Sequence, residues 1–307
     1  MSPIGLGWAA LLGLLPACAS APADPPRHSE TAAPLRPAPA IVLMTDFGLE
    51  DDAVGLMRGV ILSLAPASQV VDLTHACPRF DVAAGSRLLS EAPGVYPPGS
   101  VFVAVVDPGV GTARRAIVAR LRDGTLLVGP DNGLLSGAIE AHGPAEVRAV
   151  TEGSFLRHTV TSTFHGRDVF APVGGHLAAG RGFEELGPPV EDWIRLPRTS
   201  GRREGQALLG AVEALDLPFG NVWTDLPLSL LEELGLVIGK DRLEVTLGDR
   251  PPLVIPLVAT FGDVPEGTPL AYVNSRGALG LALNMGDFAA THQVRPGTPV
   301  RVTRAGQ

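Results

Sequence analysis

Apolar residues in the first half of the chain form short runs that alternate with helical spacings. The strand-length runs cover residues 40–44, 69–73 and 101–106, and such runs are typical of strands buried on both faces of a parallel sheet. One helix face is outlined by Val54, Met57, Ile61 and Leu64. Strands that alternate with helices predict a layered α/β domain with a mostly parallel sheet over residues 40–190.

The same patterns place the remaining elements of this domain. We expect further helices over residues 81–91, 134–141 and 167–178, and a hairpin formed by residues 116–119 and 126–128. Asp81 precedes the first of these helices and is suited to cap its N-terminus.

The second half of the chain changes character after a segment rich in Pro, Arg and Gly, which predicts a linker over residues 191–206. Strand-length runs then follow one another with few helices between them, at residues 207–212, 242–247, 253–258, 270–273 and 300–303. This pattern predicts a smaller all-β, barrel-like C-terminal domain over residues 207–307.

The first 39 residues have the pattern of a targeting segment followed by a tether. Residues 1–18 contain an apolar stretch too short to span a bilayer, followed by small residues, as in a signal peptide. Cys18 sits where a bacterial lipoprotein carries its lipid, although Pro16 and the lack of a preceding basic residue depart from that pattern. Plain secretion and a misassigned start stay open. Residues 19–39, rich in Pro and Ala, predict a disordered tether.

This interpretation predicts a location in the cell envelope, facing the periplasm, with membrane contact only through the lipid on Cys18. A misassigned start would instead make the protein cytoplasmic.

Composition argues against some partners and some kinds of site. The formal charge of −8 argues against nucleic acid as a partner. Two cysteines, Cys18 and Cys77, cannot build a disulfide framework or a cysteine zinc site.

Carboxylates follow two of the predicted parallel strands. Asp46 and Asp107 each come directly after a strand, so we expect both at the sheet edge where ligands of α/β proteins bind. A carboxylate there suits a metal, a ribose diol or a cationic substrate. Asp51 or Asp52 is equally suited to cap the next helix. Arg114 lies across a Pro- and Gly-containing loop from Asp107, and the two side chains can form an ion pair there. In the alternative interpretation, the loop is a plain turn and Arg115 is a solvated charge.

Other polar motifs have turn-like interpretations when taken singly. His165 stands beside Gly166 at a helix entry, where Asp168 is a helix-start carboxylate. Residues 131–133, also in the first half, have the composition of a turn followed by a helix start. In the second half, Phe219 has the chemistry to stack on a base and Asn221 to hydrogen-bond one. Composition and these carboxylates alone would suggest an acidic pocket, as in a metal-dependent hydrolase.

Taken together, the motifs resemble the S-adenosylmethionine hydroxide adenosyltransferase family, which is related to the fluorinase and chlorinase. The resemblance covers residues 41 to about 300 and is carried by TDFG at 45–48, DPGVGT at 107–112, PDNGLL at 130–135, TFHGRD at 163–168, FGN at 219–221 and SRG at 275–277.

The resemblance implies that water attacks C5′ of S-adenosylmethionine and releases adenosine and L-methionine, without a metal or organic cofactor. It assigns Asp107, Arg114 and His165 to the attacking water, and whether Asp107 or His165 takes the proton stays open. Asp46 and Phe80 would contact the ribose. The other implied substrate contacts are Asp51, Ser275 and Arg276 for the methionine part, Phe219, Asn221 and Met285 for adenine, with Asp216 nearby, and Phe164.

The resemblance also implies a homotrimer, with sites shared between the N-terminal domain of one chain and the C-terminal domain of its neighbour. Two alternatives remain. One is a halogenase of the same fold, but those relatives carry Tyr at the position of Asp107, and a carboxylate there would repel a halide. The fluorinase also has hydroxyl side chains at the positions of Val110 and Gly166. The other alternative is a non-catalytic envelope lipoprotein that binds S-adenosylmethionine or adenosine.

Overall fold

The structure, a computed structural model, describes residues 40–197 and 200–306. The expected signal peptide (1–18), the tether (19–39) and the lipidation site Cys18 lie outside the described residues. Within the described part of the chain, none of the helices has the length and apolar character needed to cross a membrane.

A six-stranded sheet forms the centre of the N-terminal part. Its strands are β1 Ala40–Thr45, β2 Gln69–Thr74, β3 Val101–Val105, β4 Ala116–Leu121, β5 Leu126–Pro130 and β6 Pro144–Ala149. They lie in the order β2-β1-β3-β5-β4-β6. The pairings of β1 with β2, β1 with β3 and β3 with β5 are parallel, and β4 pairs antiparallel with β5 and β6. The predicted hairpin is therefore β4–β5. The edge strand β6 was not expected from the sequence, because Glu146 and Arg148 interrupt its apolar pattern.

Helices cover both faces of this sheet. They are α1 Ala53–Leu64, α2 Val82–Ser90, α3 Ser136–His142 and α4 Ala171–Ala178, and a π-helix, Gly166–Phe170, leads into α4. Asp81 caps α2 as expected, because its carboxylate accepts a hydrogen bond of 2.9 Å from the Ala84 backbone N–H. The helix predicted over residues 167–178 is present, and its first part has π-helical rather than α-helical geometry.

Alternate residues of a strand pack into two separate hydrophobic cores, one on each face of the sheet. In β1, Val42 and Met44 join the core under α2 and α3, while Ile41 and Leu43 join the core under α1 and α4. Side chains of a strand point alternately to opposite faces, so a strand buried on both sides must be apolar throughout. This requirement explains the uninterrupted apolar runs of β1 and β3 and gives three layers, helix on sheet on helix.

The C-terminal part is an antiparallel, barrel-like sheet. Its strands are β7 Arg202–Glu204, β8 Ala207–Asp216, β9 Asn221–Pro227, β10 Arg242–Leu247, β11 Leu253–Pro256, β12 Pro269–Val273, β13 Ala278–Leu283 and β14 Pro299–Arg304. They follow the order β11-β10-β14-β8-β9-β13-β12, and β7 pairs with β8. The ends of this order meet just after β11, where the Val258 N–H donates to the Ala271 carbonyl at 2.9 Å. The fold class predicted from the sequence, layered α/β followed by a β barrel, is confirmed.

Three features of this part differ from the expected pattern. The short strand β7 lies inside the predicted linker, and β9 and β13 were not predicted. Two short helices, α5 Leu228–Glu233 and α6 Phe288–His292, also occur. Strand β9 starts at Asn221, the last residue of one polar motif, and β13 directly follows another, so these motifs form the turns of the β8–β9 and β12–β13 hairpins.

Candidate active site

The strands β1 and β3 bring two carboxylates to the same edge of the parallel sheet. They are adjacent and in register, with Thr45 opposite Val105. Asp46 follows the end of β1, and Asp107 lies two residues beyond the end of β3. Because parallel strands end at the same edge, both side chains belong to the region where α/β proteins bind ligands.

The Arg114 guanidinium joins Asp107 to His165. Its Nε donates to the Asp107 Oδ1 and Oδ2 at 3.0 and 2.9 Å, and its Nη2 also donates to Asp107 Oδ2. The same Nη2 lies 2.8 Å from His165 Nδ1. The side chains of Asp107 and Arg114 are only 4% and 11% exposed, so the pair is largely withdrawn from water. Three residues from two separate loops therefore form one hydrogen-bonded group.

The direction of these hydrogen bonds follows from the chemistry of arginine. A guanidinium has five N–H donors and no acceptor, so Nδ1 of His165 must accept the bond from Arg114. A neutral imidazole with an acceptor Nδ1 carries its proton on Nε2. Burial lowers the pKa of His165 from 6.5, and the charge of Arg114 lowers it further, whereas Asp107 and Asp168 oppose the shift. His165 is therefore held neutral, with Nε2 as a donor.

Close packing fixes the loop that carries Asp107 and Arg114. Gly111 has a φ of 77°, and a β-carbon there would lie 2.3 Å from the Ser162 carbonyl oxygen, so the loop requires glycine at this position. From the other side, the Asn132 side chain donates to the Val106 carbonyl at 2.9 Å and accepts from the Leu134 N–H. Asn132, which the sequence suggested only as part of a turn, thus anchors the residue before Asp107.

A buried carboxylate holds the segment after His165. Asp168 is fully buried and accepts hydrogen bonds from Arg157, from Arg167 and from both the N–H and the hydroxyl of Thr161. Burial alone would raise the pKa of Asp168, but these hydrogen bonds lower it well below its usual range. The π-helix that begins at Gly166 is therefore tied to the preceding loop by a charged and fully paired group.

The other N-terminal candidates lie near the end of β1. Asp46 Oδ2 accepts a 2.9 Å bond from the Phe80 N–H, and Phe80 has a left-handed backbone and a largely exposed ring. Asp51, rather than Asp52, accepts a bond from the first helical N–H, at Ala53. Phe164 packs edge-to-face against Phe47, with 6.0 Å between ring centroids.

The turn at residues 131–133 has a structural role. Asp131 is buried, pairs with Arg115, and accepts a 2.8 Å bond from the Ile194 N–H. Arg115 also pairs with Asp192 at 2.8 Å, so it is not the free solvated charge considered from the sequence. These contacts hold the segment around residue 194 against the sheet.

The C-terminal candidates lie at the two ends of the paired strands β9 and β13, where Val222 pairs with Leu281 at one end and Pro227 with Ala278 at the other. Asn221 donates to Asp216 at 2.9 Å, and Phe219 between them is exposed. Met285 is exposed, with a left-handed backbone. Ser275 and Arg276 belong to the β12–β13 turn, and the Arg276 guanidinium donates to the Arg87 carbonyl at 3.0 Å. This contact connects the barrel to α2 in the same chain.

Within residues 40–197 and 200–306, no hydrogen bond or ion pair joins the N-terminal candidates to the C-terminal ones. The same described residues contain no group of three His, Cys, Asp or Glu side chains placed to hold a metal ion. The structure also draws attention to His75, which no sequence pattern singles out and which is buried beside Thr45.

Comparisons with known proteins agree on one family. The chain matches the SAM hydroxide adenosyltransferase N-terminal domain over residues 41–187 and the C-terminal domain of the same family over residues 210–301. It is 43% identical to the (R)-S-adenosyl-L-methionine hydrolase of Salinispora tropica over 88% of this chain and 99% of that protein. It is 33% identical to the fluorinase of Actinopolyspora mzabensis, over 87% and 98% of the two chains.

A solved structure shows the same fold. The crystal structure of an uncharacterized conserved protein from Thermotoga maritima superposes with a TM-score of 0.81 at 34% sequence identity. The similarity covers 86% of this chain and 100% of that one.

The lowered pKa of His165 gives a first test. We expect its ring signals to titrate below pH 6.5 in NMR spectra, and Arg114→Gln to raise that pKa because a neighbouring positive charge is removed. As the pH falls below about 6.5, the unfolded chain takes up this proton first, so His165 lowers the free energy of unfolding in acid. The matched control is Arg115→Gln, which leaves the His165 pKa unchanged. An unshifted midpoint in the Arg114 variant would contradict this assignment.

Proposed function

This chain belongs to the SAM hydroxide adenosyltransferase family, and from that premise we propose that it hydrolyses S-adenosylmethionine to adenosine and L-methionine. The observation that carries the proposal is the hydrogen-bonded group of Asp107, Arg114 and His165 at the end of β3. It combines a carboxylate, a cation and a neutral imidazole, the groups needed to hold and deprotonate one water molecule.

The proposed reaction is a substitution at C5′ of the adenosyl group. The water oxygen forms a bond to C5′ while the C5′–S bond breaks. The electron pair of the C5′–S bond goes to sulfur. The sulfonium thereby becomes the neutral thioether of methionine, so no acid is needed to expel it. No metal or organic cofactor enters the scheme, and the enzyme's contribution is to align the water and accept its proton.

We assign the proton to Asp107. With Nδ1 of His165 accepting from Arg114, Nε2 carries a hydrogen and can donate to the water oxygen but cannot accept from it. A carboxylate has about four lone-pair positions, so Asp107 retains acceptor capacity beyond its bonds to Arg114. His165 then orients the water, Asp107 deprotonates it as it attacks, and Arg114 fixes both groups.

The substrate contacts follow from the family and from the placement of the residues. Asp46 and Phe80, already joined by a hydrogen bond, would hold the ribose. Asp51, Ser275 and Arg276 would hold the methionine part, and Phe164 would line the site. Phe219, Asn221 and Met285, with Asp216 nearby, would hold adenine. No nucleic acid is needed as a partner, in keeping with the net charge of −8.

We further propose a homotrimer in which neighbouring subunits share each site. Two observations support it. Within the described residues of one chain, no hydrogen bond or ion pair joins the N-terminal candidates to the C-terminal ones, and exposed apolar side chains lie in or beside both sets. Leu49 and Phe80 are each 72% exposed, and Leu217, Phe219 and Met285 are 75%, 66% and 83% exposed. Such exposure is typical of surfaces covered by a ligand or a subunit.

Replacing the proposed base tests the reaction. We expect Asp107→Asn to lower turnover about 100- to 10,000-fold with little loss of substrate affinity, because Asp107 acts on water and not on the adenosyl group. Chromatography of products from S-adenosylmethionine provides the measurement, and Asp192→Asn is a control carboxylate outside the site. Adenosine and methionine must appear together. Formation of 5′-chloro-5′-deoxyadenosine in chloride would instead establish the halogenase, and binding without products would establish the binding lipoprotein.

Mixing two impaired variants tests the shared site. If subunits contribute opposite halves, mixed trimers of Asp107→Asn and Phe219→Ala chains contain some sites with both residues intact. We therefore expect activity to rise above the sum of the separate variants after the chains are mixed, unfolded and refolded together. Light scattering of the unmodified protein gives the oligomeric state. A monomer, or no gain on mixing, would contradict the proposal.

For the N-terminus, we propose cleavage before Cys18, lipidation of that residue and a periplasmic location. The apolar stretch and Ala17 directly before Cys18 support this assignment. We expect Cys18→Ser to move the protein from the membrane fraction to the soluble fraction, and mass spectrometry to find a lipid-modified Cys18 in the unaltered protein. A cytoplasmic chain whose translation starts at a residue other than Met1 would show that the start is misassigned, and an uncleaved chain that retains Met1 would contradict the proposed cleavage.

A further inference from the structure

Four hydrogen bonds join the end of β1 to the segment that follows β2. His75 Nδ1 lies 2.8 Å from the Thr45 hydroxyl, and the His75 carbonyl accepts from the Gly48 N–H at 2.8 Å. The Cys77 N–H donates to the Thr45 carbonyl at 3.3 Å, and the Phe80 N–H donates to Asp46 Oδ2 at 2.9 Å. The position of the Asp46 carboxylate therefore depends on both segments.

A charged residue supports His75 from the opposite side of its ring. Nε2 of His75 lies 3.0 Å from Asp72 Oδ1, and Asp72 is also paired with Arg58. The His75 side chain is 2% exposed, so water cannot replace these contacts. Burial alone would raise the pKa of Asp72, but its contacts with Arg58 and His75 lower it overall. Asp72 therefore remains a carboxylate.

The contacts of His75 fit one tautomer of its ring. In the tautomer that carries its hydrogen on Nε2, toward the Asp72 carboxylate, Nδ1 is an acceptor. The Thr45 hydroxyl accepts from the Phe47 N–H at 3.2 Å, which leaves its own hydrogen for Nδ1. Because Thr45 is fully buried, its hydroxyl does not reach a ligand. The side chains of Asp72, His75 and Thr45 can position neighbouring groups but cannot themselves attack a substrate.

The backbone of β2 is irregular at the same place. Leu43 of β1 pairs with Asp72, but the next residue, Met44, pairs with Thr74, so β2 contains an extra residue between these positions. β-Bulges are over-represented beside active sites, where they redirect side chains, although they are rare in parallel pairs such as β1–β2. Here the bulge lies between Asp72 and His75, the two residues of β2 and its following turn that support Thr45.

We propose that His75, held by Asp72, is a positioning residue that orients the Asp46 carboxylate, through Thr45, toward the ribose hydroxyls of the substrate. The inference rests on the proposed function, in which Asp46 binds the ribose. The hydrogen-bonded chain keeps the Thr45–Gly48 turn and the turn at Phe80 in a fixed relation, so that Asp46 uses Oδ2 for Phe80 and keeps Oδ1 for the diol. Loss of His75 should then weaken recognition of the diol alone.

The test compares adenosine with 2′,3′-dideoxyadenosine, which lacks both ribose hydroxyls, by isothermal titration calorimetry. We expect His75→Ala to weaken adenosine binding about tenfold, the scale of one hydrogen bond to a charged group. Binding of the dideoxy compound should stay unchanged. His75→Gln should restore most of the lost affinity, because its amide offers both a hydrogen-bond donor and an acceptor. Thr45→Val should reproduce the loss, and its matched control Thr45→Ser should not.

A second comparison separates positioning from a general structural effect. In an Asp46→Asn background, His75→Ala should cause no additional loss of adenosine affinity, since the group it orients has already been changed. Equal weakening of both ligands, or an undiminished loss in that background, would overturn the proposal. If His75→Ala does not fold, as judged by circular dichroism, the Thr45→Val and Thr45→Ser pair decides the outcome.

The two proposals fail in different ways. A protein that binds adenosine in preference to the dideoxy compound but releases no adenosine from S-adenosylmethionine would overturn the proposed hydrolysis and leave the diol comparison valid. A protein without any preference for the diol would overturn the role of His75, whatever its activity.

Discussion

The contact between the Arg114 guanidinium and the buried Asp107 carboxylate is the constraint on which the site depends. A carboxylate that is 4% exposed loses most of its hydration and needs a charged, hydrogen-bonded partner in return. Arginine meets this need with a planar array of donors, one of which also reaches His165 Nδ1. The face of the guanidinium rests on Phe170, 5.0 Å from its ring centroid. The Arg114 side chain thereby balances the negative charge of Asp107, the proposed base, and sets the tautomer of the His165 imidazole.

The scaffold explains how this contact stays in place. Parallel strands β1 and β3 deliver Asp46 and Asp107 to one edge, and the loop after β3 returns Arg114 to its partner. The segment carrying His165 is held separately, by the bonds that converge on Asp168. Single π turns are frequent at functional sites, and here one directly follows His165. Each element of the group is thus positioned by contacts outside it.

The C-terminal barrel contributes in a different way. Its candidate residues lie in or next to the β8–β9 and β12–β13 turns, except Met285, which follows β13. Strand pairing fixes the ends of each turn and buries Asn221, but it leaves Phe219 and Met285 exposed. A rigid frame with exposed apolar tips is suited to close against another surface. In the proposed homotrimer a neighbouring subunit provides that surface, and its contact with these apolar side chains explains why they are exposed in a single chain.

Hydrophobic periodicity and motif order were enough to predict the layered domain, the barrel and the family. Strands such as β1 are buried on both faces, so their apolar runs are unmistakable, whereas β6, with charged residues on alternate positions, carried no comparable signal. Asp107, Arg114 and His165 stood out because each lies in a motif. His75 did not, because its partners are found only when the end of β1 packs beside the turn after β2.

The amino-acid sequence by itself determined which elements form and which chemical groups are available, since both depend on local spacing and residue type. Only the tertiary structure decided that Asp131 is structural, that Arg114 bridges two side chains, and that the imidazole hydrogen of His165 lies on Nε2. These properties depend on distances between residues far apart in the chain. Hydrogen-bond direction and desolvation are set by such distances, and no linear pattern encodes them.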